Sequence, residues 1–190
     1  MSEALTLTPA YADWHIPLSH RSMTLAAAAE DLARVGAAPD DIPLMVRLAE
    51  NPKYNLFHGA VDLETHDYIH AILGRGLLAK DEAFVIGFTM GSTNRLSATE
   101  EKLFTLVAER LYPGMFRFSR EDVRVFRDAV RLAFVSDTPA LNRVDYGRYR
   151  QRTLGDIRRE LHIDEELLRA YFGIEKRRYP GSPESQRLLD

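Results

Sequence analysis

The chain has 190 residues, 45% hydrophobic and 28% charged, which is enough to bury a core in one domain and excludes a largely disordered chain. Its 25 basic and 28 acidic residues leave a net charge of −3, which excludes binding of nucleic acid by bulk charge. Cysteine is absent, so there is no disulfide framework, no cysteine-type zinc site and no thiol nucleophile, and any metal must rest on His, Asp and Glu.

No apolar run approaches the ~20 residues of an ordinary membrane-spanning helix. The N-terminus, MSEALTLTPAYADWH, has no basic region followed by an apolar stretch, so it does not read as a signal peptide. A cytoplasmic protein is the expectation. Residues 1–21, with Pro9 and Pro17, read as an extended arm. An Ala-rich helix is expected over 22–35, capped by Ser22 and ended by Gly36. A second is expected over 40–51, with Pro43 in its first turn, where a missing N–H costs little. Residues 52–61 read as a loop.

DLETHDYIHAIL (62–73) reads as a helix ended by Gly74. The apolar run in AKDEAFVIGFTMG (79–91) would suit a buried strand, but no other stretch offers it a pairing partner, so a helix is expected. Ser97 followed by Glu100 is a capping-box pattern that opens a helix over 97–111, with Pro113 and Gly114 after it. SREDVRVFRDAVRLAFV (119–135) is the clearest amphipathic helix, with Val123, Phe126, Val130 and Phe134 at helical spacing. Helices are also expected over 153–161 and over 164–172, the latter capped by Asp164 and ended by Gly173. The charged residues 176–190 read as a loose tail. The sum is an all-α chain, a single-domain helical bundle of about seven or eight helices, with the helical domain at 22–175.

The chemistry concentrates in HDYIHAILGRGLLAKDE, residues 66–82. His66 and His70 are four apart and stack on one helix face. At about 100° per residue, Ile69, Ile72 and Leu73 form the apolar stripe beside them and Asp67 sits one step outward. Eleven residues separate His70 from Glu82, enough for a tight connection and the first turn of another helix. Two imidazoles and two carboxylates suit zinc, Fe(II) or manganese. The plain alternative is a packed, hydrogen-bonded His pair, with Asp81 and Glu82 at a helix start because the macrodipole favours acids there.

His66-Asp67, two residues, His70, eleven residues and Glu82, with Glu64 and Gly74, resembles the signature of the coenzyme Q biosynthesis family called Coq-four. TLGDIRRELHI resembles its C-terminal piece with an Arg-x-Glu-Leu core. The sequence looks like a divergent bacterial member, with Leu63-Glu64 where the family often has Arg-Glu. The resemblance implies an all-helical fold and one divalent metal, usually zinc, on His66, Asp67, His70 and Glu82. It further implies a role in ubiquinone assembly: handling a prenylated quinone-like lipid or precursor, with oxidative decarboxylation of the ring as the implied reaction. The partners it implies are that lipid and other quinone-biosynthesis proteins, with room for a homodimer and for peripheral contact at the inner face of a membrane. A non-catalytic scaffold, presenting lipid and holding a structural metal, is the competing reading, and a metal-dependent hydrolase is a third that lacks further ligands.

Two other features have a functional and a plain reading. Gly87 and Gly91, one turn apart, either line a lane for a prenyl tail or let helices pack closely. Arg143, Arg148, Arg150, Arg152, Arg158 and Arg159, with Tyr146 and Tyr149, either recognise phosphate or pair with nearby acids in a solvated connector. His15, His20, His58 and His162 have no metal-like spacing, though His58 could approach the motif from its loop. Gly-rich phosphate loops and Ser-centred elbows are absent from the sequence.

Overall fold

The computed structural model describes residues 9–35, 61–110 and 117–189. The helix expected over 40–51, His58, and the breakers Gly36, Pro113 and Gly114 lie outside them. The described chain is all-helical: α1 (Pro9–Asp13), α2 (Leu25–Val35), α3 (Leu63–Leu73), α4 (Ala79–Ser92), α5 (Ala98–Arg110), α6 (Arg120–Val135), α7 (Leu154–Glu160), α8 (Glu165–Arg178) and α9 (Pro183–Gln186). Two 3-10 turns, Leu141–Arg143 and Tyr146–Tyr149, lie between α6 and α7. Among the described residues there is no strand, only an isolated bridge between Thr24 and Thr153.

Local signals start most helices where expected. Asp62 accepts from the Thr65 N–H to cap α3, and Gly74 closes it in the left-handed conformation at φ 70°. Ser97 and Glu100 exchange the bonds of a capping box at α5, and Ser119 does so with Asp122 at α6. Asp164 accepts from the Glu166 and Leu167 N–H groups to cap α8. At α2 the oxygen that accepts from the helix start belongs to Thr24, bonded to the Ala27 N–H, and not to Ser22. Residues 21–26 are instead tied across to 150–155, the Leu25 N–H donating to the Arg152 carbonyl and the Leu154 N–H to that of Met23.

The segment 79–92 is helical and buried almost all round, including Phe84, Val85, Phe88 and Met90. Its principal neighbour is α6. Gly87 lies against Phe126 and Ala129, and one turn on Gly91 lies against Val130 and Ala133, so the two helices run in the same direction. Parallel neighbours need a returning element, and α5 supplies it, stacking Phe104 on Phe126 with ring centroids 4.9 Å apart. A side chain on Gly87 would fall onto the Phe126 carbonyl, and one on Gly91 would lie 2.6 Å from the Val130 carbonyl oxygen. This face is filled by α6, so close packing is its role and no lipid lane runs there.

Three expectations at the ends of the chain are corrected. The arm contains α1, and beyond it Trp14, Ile16 and Leu18 are buried in an irregular stretch that turns at Leu18 and Ser19. The last helix does not end at Gly173. It runs to Arg178, because Phe172 and Glu175 both have buried partners on the core face, and 176–178 are its final turn. Residues 179–189 are not a loose tail either: Tyr179, Ser182, Ser185 and Leu188 are buried, and the packed domain extends to the end of the described chain.

Candidate metal centre

Helix α3 carries both histidines, and its ends are held firmly. The Arg75 N–H donates to the His70 carbonyl at 3.0 Å. Fully buried Arg158, from the Arg-Arg-Glu-Leu stretch on α7, donates to the carbonyls of Ile72 (2.8 Å), Ala71 (3.3 Å) and Leu18 (2.8 Å). A cation on the last carbonyls of a helix complements its dipole and satisfies groups that have no partner within the helix. Desolvation pushes the guanidinium pKa of Arg158 down to about 10, the Glu165 carboxylate opposing this, and it is still charged at neutral pH.

His66 and His70 are both buried. Their Nε2 atoms are 2.9 Å apart, with ring centroids at 4.6 Å and ring planes at 68°. Glu82, in the first turn of α4, reaches both: Oε2 is 2.9 Å from His66 Nε2, and Oε1 is 3.3 Å from His70 Nε2. The other nitrogen of His70, Nδ1, is 2.6 Å from the Gly76 carbonyl oxygen. A carbonyl can only accept, so Nδ1 carries the proton. In the neutral ring, Nε2 then holds a lone pair, directed at His66 and Glu82. Burial pushes the Glu82 carboxyl up, but the imidazoles of His70 and His66, when protonated, and their hydrogen bonds pull it well below the ordinary carboxylate range.

These residues form a candidate cation site. Two imidazole nitrogens and the Glu82 carboxylate converge: the nitrogens are 2.9 Å apart, and they lie 2.9 and 3.3 Å from different carboxylate oxygens, spacings that suit hydrogen bonds and also ligands gathered around one ion. The outer hydrogen bond from His70 to a carbonyl is the usual way in which a metal-ligating imidazole is oriented. Among the described residues, His66, His70 and Glu82 form the one such group of metal-ligating side chains.

Asp67 stands apart from this trio. It is half-buried, and it lines an open cleft of ≈ 360 Å³ with Ala29, Leu63, Glu64, Tyr68 and Arg150. Burial raises its carboxyl pKa; the His70 and His66 charges oppose that, and Glu82 adds to it. Asp67 is thus electrostatically coupled to the trio while facing the cleft beside it.

Behind the site lies a buried ion network that spacing did not reveal. Arg75, fully buried, donates to both oxygens of Glu175 at 3.0 and 2.6 Å and lies 3.7 Å from Asp81. Its guanidinium stacks over Phe84 (3.9 Å) and Phe172 (4.4 Å). Desolvation pulls its pKa down, but the Glu175 charge overcomes it and the net shift is upward. Asp81 also binds Arg187 at 2.6 Å. Tyr11, on α1, is another neighbour: burial raises its phenol, and the charges of Glu82, Asp67 and Asp81 raise it further. The sequence signal for these residues is weak, an acid pair at a helix start and one Arg between two glycines.

The connector arginines mostly have acidic partners. Arg148 and Arg152 pair with Glu160, Arg150 with Glu64, and Arg159 with Asp156. Arg158 is consumed by carbonyls. This favours the plain reading of the cluster over phosphate recognition.

Searches against protein-family models, curated proteins and solved structures find no match. No helix among the described residues is long and apolar enough to cross a membrane.

Proposed function

We propose that the protein binds one divalent metal ion on His66, His70 and Glu82 and uses it in the chemistry of a quinone-like, prenylated lipid or its precursor. The observation that carries the metal reading is the His70 arrangement: in the neutral ring, the Nδ1 bond to Gly76 leaves Nε2 as a lone pair aimed at His66 and the Glu82 carboxyl. Zinc, Fe(II) and manganese all accept two imidazoles and a carboxylate, and the sequence resemblance favours zinc.

Three protein ligands leave a coordination position open, which is the mark of a catalytic rather than a closed structural site. A divalent ion there would supply Lewis acidity toward a ring oxygen or carboxylate, or activate water, and only Fe(II) or manganese would add activation of dioxygen. The chain's own groups set the rest. His70 is fixed by Gly76, Glu82 reaches both imidazoles, and Asp67 faces the adjoining cleft with its carboxyl pKa raised by burial.

The quinone-lipid part rests on the His-Asp-x-x-His spacing and its resemblance. With the α4–α6 face closed, the lipid on this reading meets the site from the cleft, whose wall includes Ala26, Ala29, Ala33 and Leu63. The scaffold reading with a closed structural metal would need Asp67 as a fourth ligand, but Asp67 faces the cleft and stands outside the trio. The test is mass spectrometry of lipid co-purified with the native protein and with Ala29→Leu. Prenylated lipid in the native protein, reduced in the folded variant, supports the assignment. Native protein free of lipid, or equal lipid in both, refutes it.

A further inference from the structure

We infer that Arg187, more than a hundred residues from the ligands in sequence, is a positioning residue for the metal centre, an inference that rests on the metal reading above. Its guanidinium touches three groups that together set where His70 and Glu82 stand. The first is Gly76, whose carbonyl orients His70. A Cβ on Gly76 would collide with the Arg187 Nη2 and with the Trp14 carbonyl, so the guanidinium lies directly on the glycine backbone. The second is Asp81, bound at 2.6 Å through the same Nη2. The Asp81 oxygen that takes this bond also accepts from the Leu78 N–H at 3.2 Å, at the start of α4, and Glu82 is the next residue. The third is the Ala12 carbonyl, which accepts from Nη1 and adjoins Tyr11, the phenol within the field of Glu82.

One planar cation therefore joins the connection after α3, the first turn of α4 and the N-terminal arm. A rigid fork suits this better than an ammonium, which offers no plane to lie on Gly76. The C-terminal segment that carries it is anchored independently: Leu188 is buried, and Ser185 donates to Glu175 at 3.0 Å. Without the guanidinium the Gly76 carbonyl and Glu82 lose their common support, and the ligand atoms no longer hold separations of about 3 Å.

The experiment titrates Zn(II) and Co(II) into metal-free native protein, Arg187→Met, Arg187→Lys and, as a control matched for stability, Phe104→Leu at the α5–α6 contact. Affinity comes from calorimetry, site geometry from the visible bands of bound Co(II), and folding from circular dichroism. Arg187→Met should bind roughly 10–100-fold more weakly, the usual effect of losing an outer-shell partner, with altered Co(II) bands. Arg187→Lys, which keeps a charge for Asp81, should fall between. Phe104→Leu should lose stability yet keep native affinity and bands. If Arg187→Met does not fold, Arg187→Lys decides. Native affinity and native bands in the folded variant overturn the inference. Equal weakening in Phe104→Leu also overturns it, because the effect is then global. Native protein that binds neither metal refutes the metal centre itself, a distinct outcome.

Discussion

Replacing Gly87 with alanine sets two effects of opposite sign against each other. Alanine is the better helix former by about 1 kcal/mol in a helix interior. That gain is available at Gly87, which lies within α4. Against it, the new methyl carbon meets the Phe126 carbonyl oxygen and lies 3.1 Å from the Ala129 Cβ. Both belong to α6, a 16-residue helix whose backbone yields only by moving as a body. Overpacking of this kind costs about 1–3 kcal/mol, and here it falls on backbone, at the upper end. The net expectation is a loss of about 1–2 kcal/mol, or about 2–8 °C in Tm for a chain of this size. Gly173→Ala supplies the opposite sign. Gly173 lies inside α8, and its Cβ would meet nothing nearer than the Leu189 Cδ1 at 3.8 Å. It should stabilise by about 0.5–1 kcal/mol. Thermal unfolding of both variants, followed by circular dichroism, reads the contrast. A Gly87→Ala protein as stable as Gly173→Ala would refute close contact between α4 and α6.

Arg158→Met should cost about 2–4 kcal/mol by leaving the Ala71, Ile72 and Leu18 carbonyls without their donor; hydrogen exchange should show the loss first at the end of α3. Glu175→Gln should cost about 3 kcal/mol, the low end for breaking a buried pair, because Asp81 still stands 3.7 Å from Arg75. The double variant Arg75→Met/Glu175→Gln should lose less than the sum of the two single changes, read by urea unfolding. Lowering the pH should release bound metal, since protons compete for the imidazole and carboxylate lone pairs that bind it; metal retained through dialysis over a pH series checks this.

The helices were legible wherever the signal was local. Asp62, Ser97, Ser119 and Asp164 mark starts by short-range hydrogen bonds, and the 119–135 periodicity reports a face that is buried at Val123, Phe126 and Val130, while Phe134 in the last turn is exposed. The pairing of His66, His70 and Glu82 was legible too, because helical spacing and a short connection restrict where Glu82 can go. Asp67 was less so: adjacent residues on a helix diverge by about 100°, and the structure sends it to the cleft. Gly173 misled because a glycine after an aromatic pair resembles a helix end, whereas the pull of Glu175 on buried Arg75 carries the helix onward. The C-terminal segment was opaque for a related reason. Its charges read as solvated, yet Arg187 finds Asp81 106 positions away and Ser185 finds Glu175. Long-range ion pairs leave no period in a sequence.

The most direct test of the central claim is metal content. Native protein and His66→Ala/His70→Ala are loaded with Zn(II), passed through gel filtration and submitted to elemental analysis, with folding checked by circular dichroism. About one metal ion per native chain and almost none in the folded double variant is the result the three-ligand centre predicts. Equal metal in the two proteins, or none in the loaded native protein, would contradict it.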